Sequence, residues 1–430
     1  MNSGREQLGR LVGGSAFIFA CRVAGAGLTF ASQVIMARWL GATEFGIYVI
    51  AFSWCILLAM VATAGMPLAA MGFIGVALAK RDLPYLRGFV RRGLQVTLAG
   101  GALTAIIGAA LVLGVAGLVP NTYRLSLLGA LATVPLLALL NYYAGAAHAF
   151  PWLAQSFLPT NVLRPWFFLL ALWFLAPPGA TASAAQAMEL QLLVVALTTL
   201  LAALAFQSRL AREAPTAPRS YETRRWLRTA LPLLGASIFT TYLPEITVVL
   251  VGFFLTSADA GVFQVSYRIA LLIGFGLYAV DSFTAPEAAR LIATTDHESL
   301  KRTVNQATRL RFWCAFAAVI VLAIAGRPVL RLFGREFVGG YGALVMLALA
   351  QLAQAAVGPV SRLMMLSGHQ DRSLIAAAGS LLLLLPLVAL LTPRFGVEGA
   401  AAAAFIDIVV WSAWMRYLVI KSLGMRPSVI

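Results

Sequence analysis

Residues 14–37 read GSAFIFACRVAGAGLTFASQVIMA, a run of apolar and small residues that contains a single charge, Arg22. A helix needs about 20 such residues to cross the roughly 30 Å hydrocarbon core of a bilayer. Similar runs recur along the whole chain. Strands of a membrane barrel would instead be about 10 residues long and alternate in hydrophobicity. The sequence therefore predicts membrane-spanning helices.

The composition of the chain agrees with this prediction. Hydrophobic residues make up 61% of the 430 residues and charged residues 11%, and the mean hydropathy is +0.87. Soluble domains average about 45–50% apolar and about 25% charged residues. One soluble core could not bury so much apolar surface. The predicted fold class is an all-α membrane protein of about twelve transmembrane helices.

The predicted helices are bounded by polar breaks in the sequence. They cover residues 14–37, 46–66, 93–116, 125–147, 157–176, 186–206, 229–254, 262–284, 307–326, 341–365, 373–392 and 398–420. Most of the 32 Lys and Arg residues fall in segments that an arrangement with both termini inside places in the cytoplasm. The positive-inside rule therefore predicts cytoplasmic termini, and topology explains the net charge of +16 without nucleic acid as a partner.

An internal repeat divides the chain into two six-helix halves. A shift of 215 residues aligns Leu40 with Leu255, Glu44 with Asp259, Gly46 with Gly261, Ile47 with Val262, Tyr48 with Phe263 and Phe52 with Tyr267. The predicted domains are residues 1–206 and 229–430, joined by a basic cytoplasmic linker at 207–228. Parallel repeats of this kind occur in transporters, and we expect a central cleft between the halves.

Several stretches resemble one family of membrane proteins. These are ARWLGATEFGIYVIAFSW (Ala37–Trp54), NVLRPWFFLL (Asn161–Leu170), LSGHQDRSLI (Leu366–Ile375) and PRFGVEGAAAAAFI (Pro393–Ile406). They are similar to segments of the Wzx-type O-antigen and exopolysaccharide flippases. Those proteins belong to the multidrug/oligosaccharidyl-lipid/polysaccharide exporter (MOP) superfamily.

The resemblance implies a transporter of polysaccharide biosynthesis and no enzymatic activity. Its cargo would be a lipid-linked oligosaccharide of the undecaprenyl-pyrophosphate type, flipped across the bacterial inner membrane by alternating access. The implied partners are that polyprenyl-linked oligosaccharide, the lipid bilayer and other polysaccharide assembly proteins. No cofactor is expected, apart from H⁺ or Na⁺ as a coupling ion.

Charged residues inside spanning helices are costly and mark candidate functional sites. Arg22 shares a helical face with Gly25, Thr29 and Gln33, because these residues recur at intervals of three or four. The repeat aligns Arg22 with Ser237, which begins a second polar stripe with Thr241 and Glu245. We expect both stripes to line the cleft, and Arg22, Thr29, Gln33 and Ser237 to contact substrate.

Two further intramembrane arginines are candidates for binding the phosphates of the cargo, because a guanidinium group is permanently charged and binds oxygens bidentately. Arg268 lies within predicted helix 8, and Arg164 lies near the start of predicted helix 5, where its side chain could instead snorkel to the interface. An alternative for Arg22 and Arg268 is an ion pair with Glu245, Asp281 or Asp407 that fixes helix packing.

Glu245, Asp407 and Asp281 are the candidates for ion coupling, since a carboxylate in a low-dielectric cleft can bind H⁺ or Na⁺. Pro244 is expected to disrupt helix 7 beside Glu245.

Two other functions remain open. A cation-coupled multidrug exporter of the same superfamily would have a cavity dominated by acidic residues. A membrane polymerase or glycosyltransferase would require a larger outside loop or a catalytic motif. No metal site is indicated.

Overall fold

The structure, a computed structural model, contains helices and no strands among the residues it describes. These are residues 2–115, 119–150, 152–175, 182–214, 218–294, 296–360, 363–364, 367 and 370–423. The predicted segment Leu366–Ile375 lies partly outside them.

Thirteen α-helices, numbered here in chain order, form this part of the chain. They are α1 (Asn2–Ala62), α2 (Met66–Lys80), α3 (Leu83–Gly114), α4 (Asn121–Ala149), α5 (Leu153–Leu158), α6 (Arg164–Leu175), α7 (Ala184–Glu213), α8 (Thr223–Thr241), α9 (Leu243–Phe254), α10 (Ser257–Ala293), α11 (His297–Phe333), α12 (Tyr341–Ala356) and α13 (Gln370–Leu423). A π-helical turn, Pro159–Leu163, joins α5 to α6, and a 3₁₀ element, Arg335–Gly340, precedes α12.

Nine segments of the described chain are long and apolar enough to cross a membrane. Two of them, Ala16–Lys80 and Arg372–Ser422, are 65 and 51 residues long, more than one crossing requires at 1.5 Å per residue. Each contains a residue with non-helical backbone, Gly41 (φ 71°) or Gly396 (φ 61°), where the chain can change direction. The chain is a multi-pass membrane protein, in agreement with the predicted fold class.

Several predicted helix boundaries were wrong. Segment 67–92 was assigned to a cytoplasmic loop, but most of it is helical. Helix α2 continues the second predicted helix, and α3 begins at Leu83, ten residues before its predicted start. The basic and polar residues of this segment lie at helix ends. Helix boundaries predicted only from runs of apolar residues exclude such ends and assign them to a loop.

The linker 207–228 was also predicted to be longer than it is. Helix α7 runs to Glu213 and α8 starts at Thr223. Ser220 donates its backbone N–H to the carbonyl of Pro84 at 3.1 Å. Trp226 is fully buried and donates to the Tyr85 hydroxyl at 2.8 Å. This segment is therefore packed onto the start of α3.

Contacts divide the chain into two compact units. Unit 1 comprises residues 1–40 and 47–237, and unit 2 comprises residues 41–46 and 238–430. The chain thus passes between units at the Gly41–Gly46 segment of α1 and again at Ser237 in α8. Two sequence halves are observed. The second crossing between units, however, lies at Ser237 within α8, which corresponds to predicted helix 229–254, and not in the segment 207–228.

Within unit 2, the Gly41–Gly46 segment packs against the start of α10. A Cβ on Gly46 would overlap the carbonyl oxygen of Ser257, and one on Gly261 would lie 3.0 Å from the carbonyl oxygen of Ala42. Glu336 accepts a hydrogen bond from the Ala42 N–H at 2.9 Å. Both glycines therefore lie where two helical segments approach closely.

The stretch Arg327–Phe337 lies between predicted helices 307–326 and 341–365, where the sequence suggests an outside loop or an amphipathic stretch on the membrane surface. Its first part completes α11, which ends at Phe333, and the rest follows Gly334 (φ 145°) as the 3₁₀ element. Phe337 is buried and packs edge-on to Phe45 in the Gly41–Gly46 segment. The apolar residues Leu330, Phe333 and Phe337 of this stretch are buried in unit 2, whereas its three arginines are exposed.

Candidate functional site

Unit 1 contains a local break in helical geometry beside one predicted site residue. Pro165 has no N–H to donate to the carbonyl of Asn161, the normal partner four residues earlier. The N–H of Arg164 instead bonds to the carbonyl of Pro159, which produces the π-helical turn. Such turns are frequent at functional sites. The Asn161 carbonyl is thereby freed from the helix.

The predicted polar face of α1 meets this π-helical turn. Gly25 is buried, and a Cβ at this position would overlap the carbonyl oxygen of Asn161. Arg22, Thr29 and Gln33 lie on the same face and are partly exposed. At Gly25, then, the stripe serves close packing within unit 1, while its other three members retain exposed surface.

Arg164 lies midway along the segment 153–175, not near its start as predicted. Its guanidinium group is 5.9 Å from the centroid of the Phe52 ring, in cation–π range. Phe52 stacks on Tyr48, whose hydroxyl donates to Gln191 at 3.3 Å. Arg164 is therefore half-buried beside aromatic rings, where the π-helical turn continues into α6.

Phe52 and Asn161 are site residues that the sequence analysis missed. The sequence does carry a signal for each of them. Phe52 is four residues from Tyr48 on one helical face, and Asn161 is four residues before a proline. A proline not only breaks a helix but also removes the N–H donor of the carbonyl four residues earlier, and that carbonyl belongs to Asn161.

The predicted second stripe does not lie on one continuous helix. Ser237 and Thr241 are in the last part of α8, the helix ends at Thr241, and α9 starts at Leu243. Glu245 is in the first turn of α9. The disruption expected from Pro244 is confirmed, and it separates Glu245 from the other two residues.

Unit 2 brings together candidates that were predicted for different roles. Arg268 Nη2 lies 3.3 Å from Glu245 Oε1, and their side chains are 32% and 12% exposed. The buried Tyr267 is close enough to interact electrostatically with Glu245, Arg268 and Asp407. The packing alternative considered for Arg268 is thus the arrangement observed. These residues form a polar cluster, which we call the unit 2 cluster.

Asp407 lies in the second part of α13, after the break at Gly396. The Ser380 hydroxyl, in the first part of the same helix, donates to its carboxylate, with Oγ 2.7 and 2.8 Å from the two oxygens. Asp407 is 3% exposed. The hydroxyl supplies this buried carboxylate with one hydrogen-bond donor. Ser380 was not predicted as a site residue.

Asp281, a predicted candidate for ion coupling, forms an ion pair with Arg311 of α11, and the two side chains are 17% and 6% exposed. Arg311 was not predicted as a site residue. Because a guanidinium group stays charged, this pair resembles a structural link between α10 and α11 more than an ion-binding site.

No group of three or more His, Cys, Asp and Glu side chains in the described part of the chain is placed to hold a metal ion.

The chain has the fold of solved MOP superfamily transporters. An inward-facing multidrug resistance MATE family transporter matches with a TM-score of 0.73 and 16% identity, over 94% of this chain and 98% of that one. The lipid II flippase MurJ, in an inward closed conformation, matches with a TM-score of 0.74 and 14% identity, over 94% and 87%. A Pyrococcus furiosus MOP superfamily transporter, described as having a binding pocket of reverse polarity, matches with a TM-score of 0.59 and 15% identity, over 95% and 97%.

No curated protein sequence matches significantly. The family described as polysaccharide biosynthesis protein matches residues 11–280. This match covers more than half of the chain, which therefore belongs to the polysaccharide biosynthesis protein family.

Proposed function

We propose that this protein flips a lipid-linked oligosaccharide of the undecaprenyl-pyrophosphate type across the bacterial inner membrane by alternating access. Two findings support a transporter over other membrane proteins of the same pathway. The chain belongs to a polysaccharide biosynthesis family, and its fold is shared with a lipid II flippase. In this proposal the termini face the cytoplasm, as the positive-inside rule predicts.

The observation that carries the cargo assignment is the pair of half-buried arginines in unit 1. Arg22 is on the exposed part of the α1 face, and Arg164 follows the π-helical turn against which that face packs. A pyrophosphate is a multivalent anion, and guanidinium groups bind its oxygens through charge-assisted hydrogen bonds. In a low-dielectric surrounding these bonds are stronger than in water.

Aromatic rings beside Arg164 fit the same class of cargo. Tyr48 stacks on both Phe52 and Phe168, with ring centroids 5.8 and 6.4 Å apart. Aromatic side chains supply large, rigid contact area with few rotatable bonds. In the proposed function, Arg22 and Arg164 hold the headgroup phosphates, while Thr29, Gln33 and Ser237 contact polar groups of the cargo.

The unit 2 cluster is the proposed site of ion coupling. Asp407 is the better candidate, because its buried carboxylate is held by a neutral hydroxyl and can exchange H⁺ or Na⁺ without breaking an ion pair. Glu245 is neutralised by Arg268 at 3.3 Å. Asp281, paired with Arg311, is the weakest of the three.

A cation-coupled multidrug exporter is the second candidate, favoured by the equally good structural match to a MATE family transporter. The intramembrane cations argue against it, since they repel the cationic compounds that such an acidic cavity would bind. A membrane polymerase or glycosyltransferase is a third, weaker candidate. Its catalysis would have to use groups other than those described above.

Reconstituted proteoliposomes test the proposal directly. The assay measures how fast a fluorescent polyprenyl-pyrophosphate oligosaccharide becomes accessible to a membrane-impermeant quencher. We expect Arg22→Gln to slow flipping by about 10- to 100-fold, the effect of losing one charge-assisted contact, and Arg22→Lys to recover part of the rate. The exposed Arg331→Gln serves as the control.

Full flipping rates in both Arg22→Gln and Arg164→Gln would remove the arginine basis of the cargo assignment. Efflux of organic cations by liposomes that do not flip the lipid-linked sugar would establish the exporter instead.

A further inference from the structure

A groove lies between α2 and α8 within unit 1, with a cavity volume of about 540 Å³. The polarity of its walls changes from one end of the groove to the other. On α2, Leu68, Gly72, Val76 and Lys80 line it, and they recur every four residues on one helical face. The wall is therefore apolar at one end and cationic at the other.

The wall contributed by α8 has the same gradient. Leu233, Thr229 and Arg225 line it, again at intervals of four residues. Because Lys80 and Arg225 lie at the same end of the groove, the apolar parts of the two helices face each other at the opposite end. Leu68, Val76 and Leu233 are 43%, 53% and 38% exposed, so the apolar part is uncovered in unit 1.

The polar end holds charges of both signs. Arg225 pairs with Glu222 at 2.9 Å, and Asp82 accepts from the Tyr85 N–H at 3.0 Å as the N-cap of α3. Each bond uses one carboxylate oxygen and leaves the other able to accept. Lys80 is exposed and has no side-chain partner among the described residues.

The dimensions of the groove match one leaflet of a bilayer. From Leu68 to Lys80 helix α2 rises about 18 Å, at 1.5 Å per residue. Half of a hydrocarbon core of roughly 30 Å is slightly shorter than this. An acyl chain anchored at the polar end would therefore follow the apolar wall to the middle of the membrane.

We propose that this groove binds a zwitterionic phospholipid with a primary ammonium group, that is, a lipid of the phosphatidylethanolamine type. One acyl chain lies along Leu68, Gly72 and Val76. The phosphate is bound by Lys80 and Arg225, and the ammonium donates to the free oxygens of Asp82 and Glu222. Charge complementarity selects this occupant, because a purely anionic headgroup would meet two carboxylates and a trimethylated one would have no N–H to donate.

None of the groove's lining residues belongs to the α1 face or the π-helical turn, and Ser237, proposed above to contact cargo, follows Leu233 on the same face of α8 beyond the apolar end of the groove. The groove offers a place for a structural lipid that steadies the junction of α2, the docked segment at Ser220–Trp226 and α8.

Native mass spectrometry of the full-length protein, titrated with defined lipids in detergent, tests the proposal. We expect phosphatidylethanolamine to bind about tenfold tighter than phosphatidylcholine or phosphatidylglycerol of the same chain length, the effect of about one charge-assisted hydrogen bond. Lys80→Gln/Arg225→Gln should remove this preference. Arg91→Gln/Arg331→Gln, which also removes two positive charges but from exposed positions outside the groove, should retain it.

A second pair of variants tests the apolar wall. Cβ atoms on Gly72 and Gly75 would both meet open space, but only Gly72 lines the groove. Gly72→Leu should therefore weaken phosphatidylethanolamine binding about tenfold, while Gly75→Leu leaves it unchanged. Equal binding of the three lipids, tighter binding of phosphatidylglycerol, or unchanged binding in Gly72→Leu would each overturn the proposal.

Discussion

Gly46 and Gly261, the two glycines that the 215-residue repeat aligns, are in backbone contact. A Cβ on Gly261 would lie 3.3 Å from both the Cα and the N of Gly46. A fragment of the first sequence half thus contacts the second half within unit 2.

This contact predicts a graded response to added methyl groups. Gly46→Ala should destabilise the protein by about 1–3 kcal/mol, since the new Cβ would overlap a backbone carbonyl that cannot rotate away. Gly261→Ala should cost less, because its nearest neighbour is at 3.0 Å. Thermal unfolding of the purified protein in detergent measures both. Gly339→Ala, where a Cβ meets open space, is the control, and an unfolding midpoint for Gly46→Ala equal to the control's would contradict the contact.

The Glu245–Arg268 pair predicts a non-additive pair of substitutions. Glu245→Gln or Arg268→Gln alone should each cost about 1–2 kcal/mol, because one partly buried charge is left unmatched. The double variant should recover part of that loss. Thermal unfolding midpoints of the four proteins give the coupling energy. The same cycle at the exposed Glu298–Arg302 pair should give almost none, and strict additivity at Glu245–Arg268 would refute the coupling.

A substitution of Asp407 should change ion coupling without changing the stability of the protein. Asp407→Asn retains an oxygen that accepts from Ser380, so we expect unfolding within about 1 kcal/mol of the wild type. If the carboxylate exchanges the coupling ion, the same variant should lose the stimulation of flipping by an imposed H⁺ or Na⁺ gradient. Ser380→Ala, which retains the carboxylate, should remain responsive. If flipping by Asp407→Asn responds to the gradient as strongly as flipping by the wild type, the coupling ion binds at another residue.

Low pH should destabilise the first turn of α11, which lies outside the predicted membrane span. Asp296 caps this helix by accepting from the Ser299 N–H at 3.1 Å, and this hydrogen bond holds the pKa of the Asp296 carboxyl below its usual range. Its stabilising contribution is therefore present above the ordinary carboxyl pKa and is lost as the pH falls through the lowered value. Hydrogen exchange of residues 298–301 reports it.

In that experiment, with rates divided by the intrinsic rate at each pH, Asp296→Ala at neutral pH should show the low protection that the wild type shows in acid, and Asp296→Asn should lie between them. Identical exchange in all three proteins at neutral pH would mean that the cap does not hold this helix end.

The sequence alone determined the membrane class, the helical fold and the repeat. These follow from the length and spacing of apolar runs, which depend only on local chain geometry and the thickness of a bilayer. Proline rules likewise placed the break near Pro244 correctly, because a missing N–H acts on its own helix. Arg22, Arg268 and Asp407 were chosen as candidates because an intramembrane charge is conspicuous in an apolar sequence.

Only the tertiary structure decided which of these charges meet. Helical periodicity gives the face on which a residue lies but not the neighbour toward which that face turns. The pairing of Glu245 with Arg268, of Asp407 with Ser380 and of Asp281 with Arg311 depends on contacts between segments separated by 23 to 30 residues. The packing of Gly25 on Asn161 has the same origin, because a carbonyl freed by a proline in one helix becomes important only when another helix crosses it.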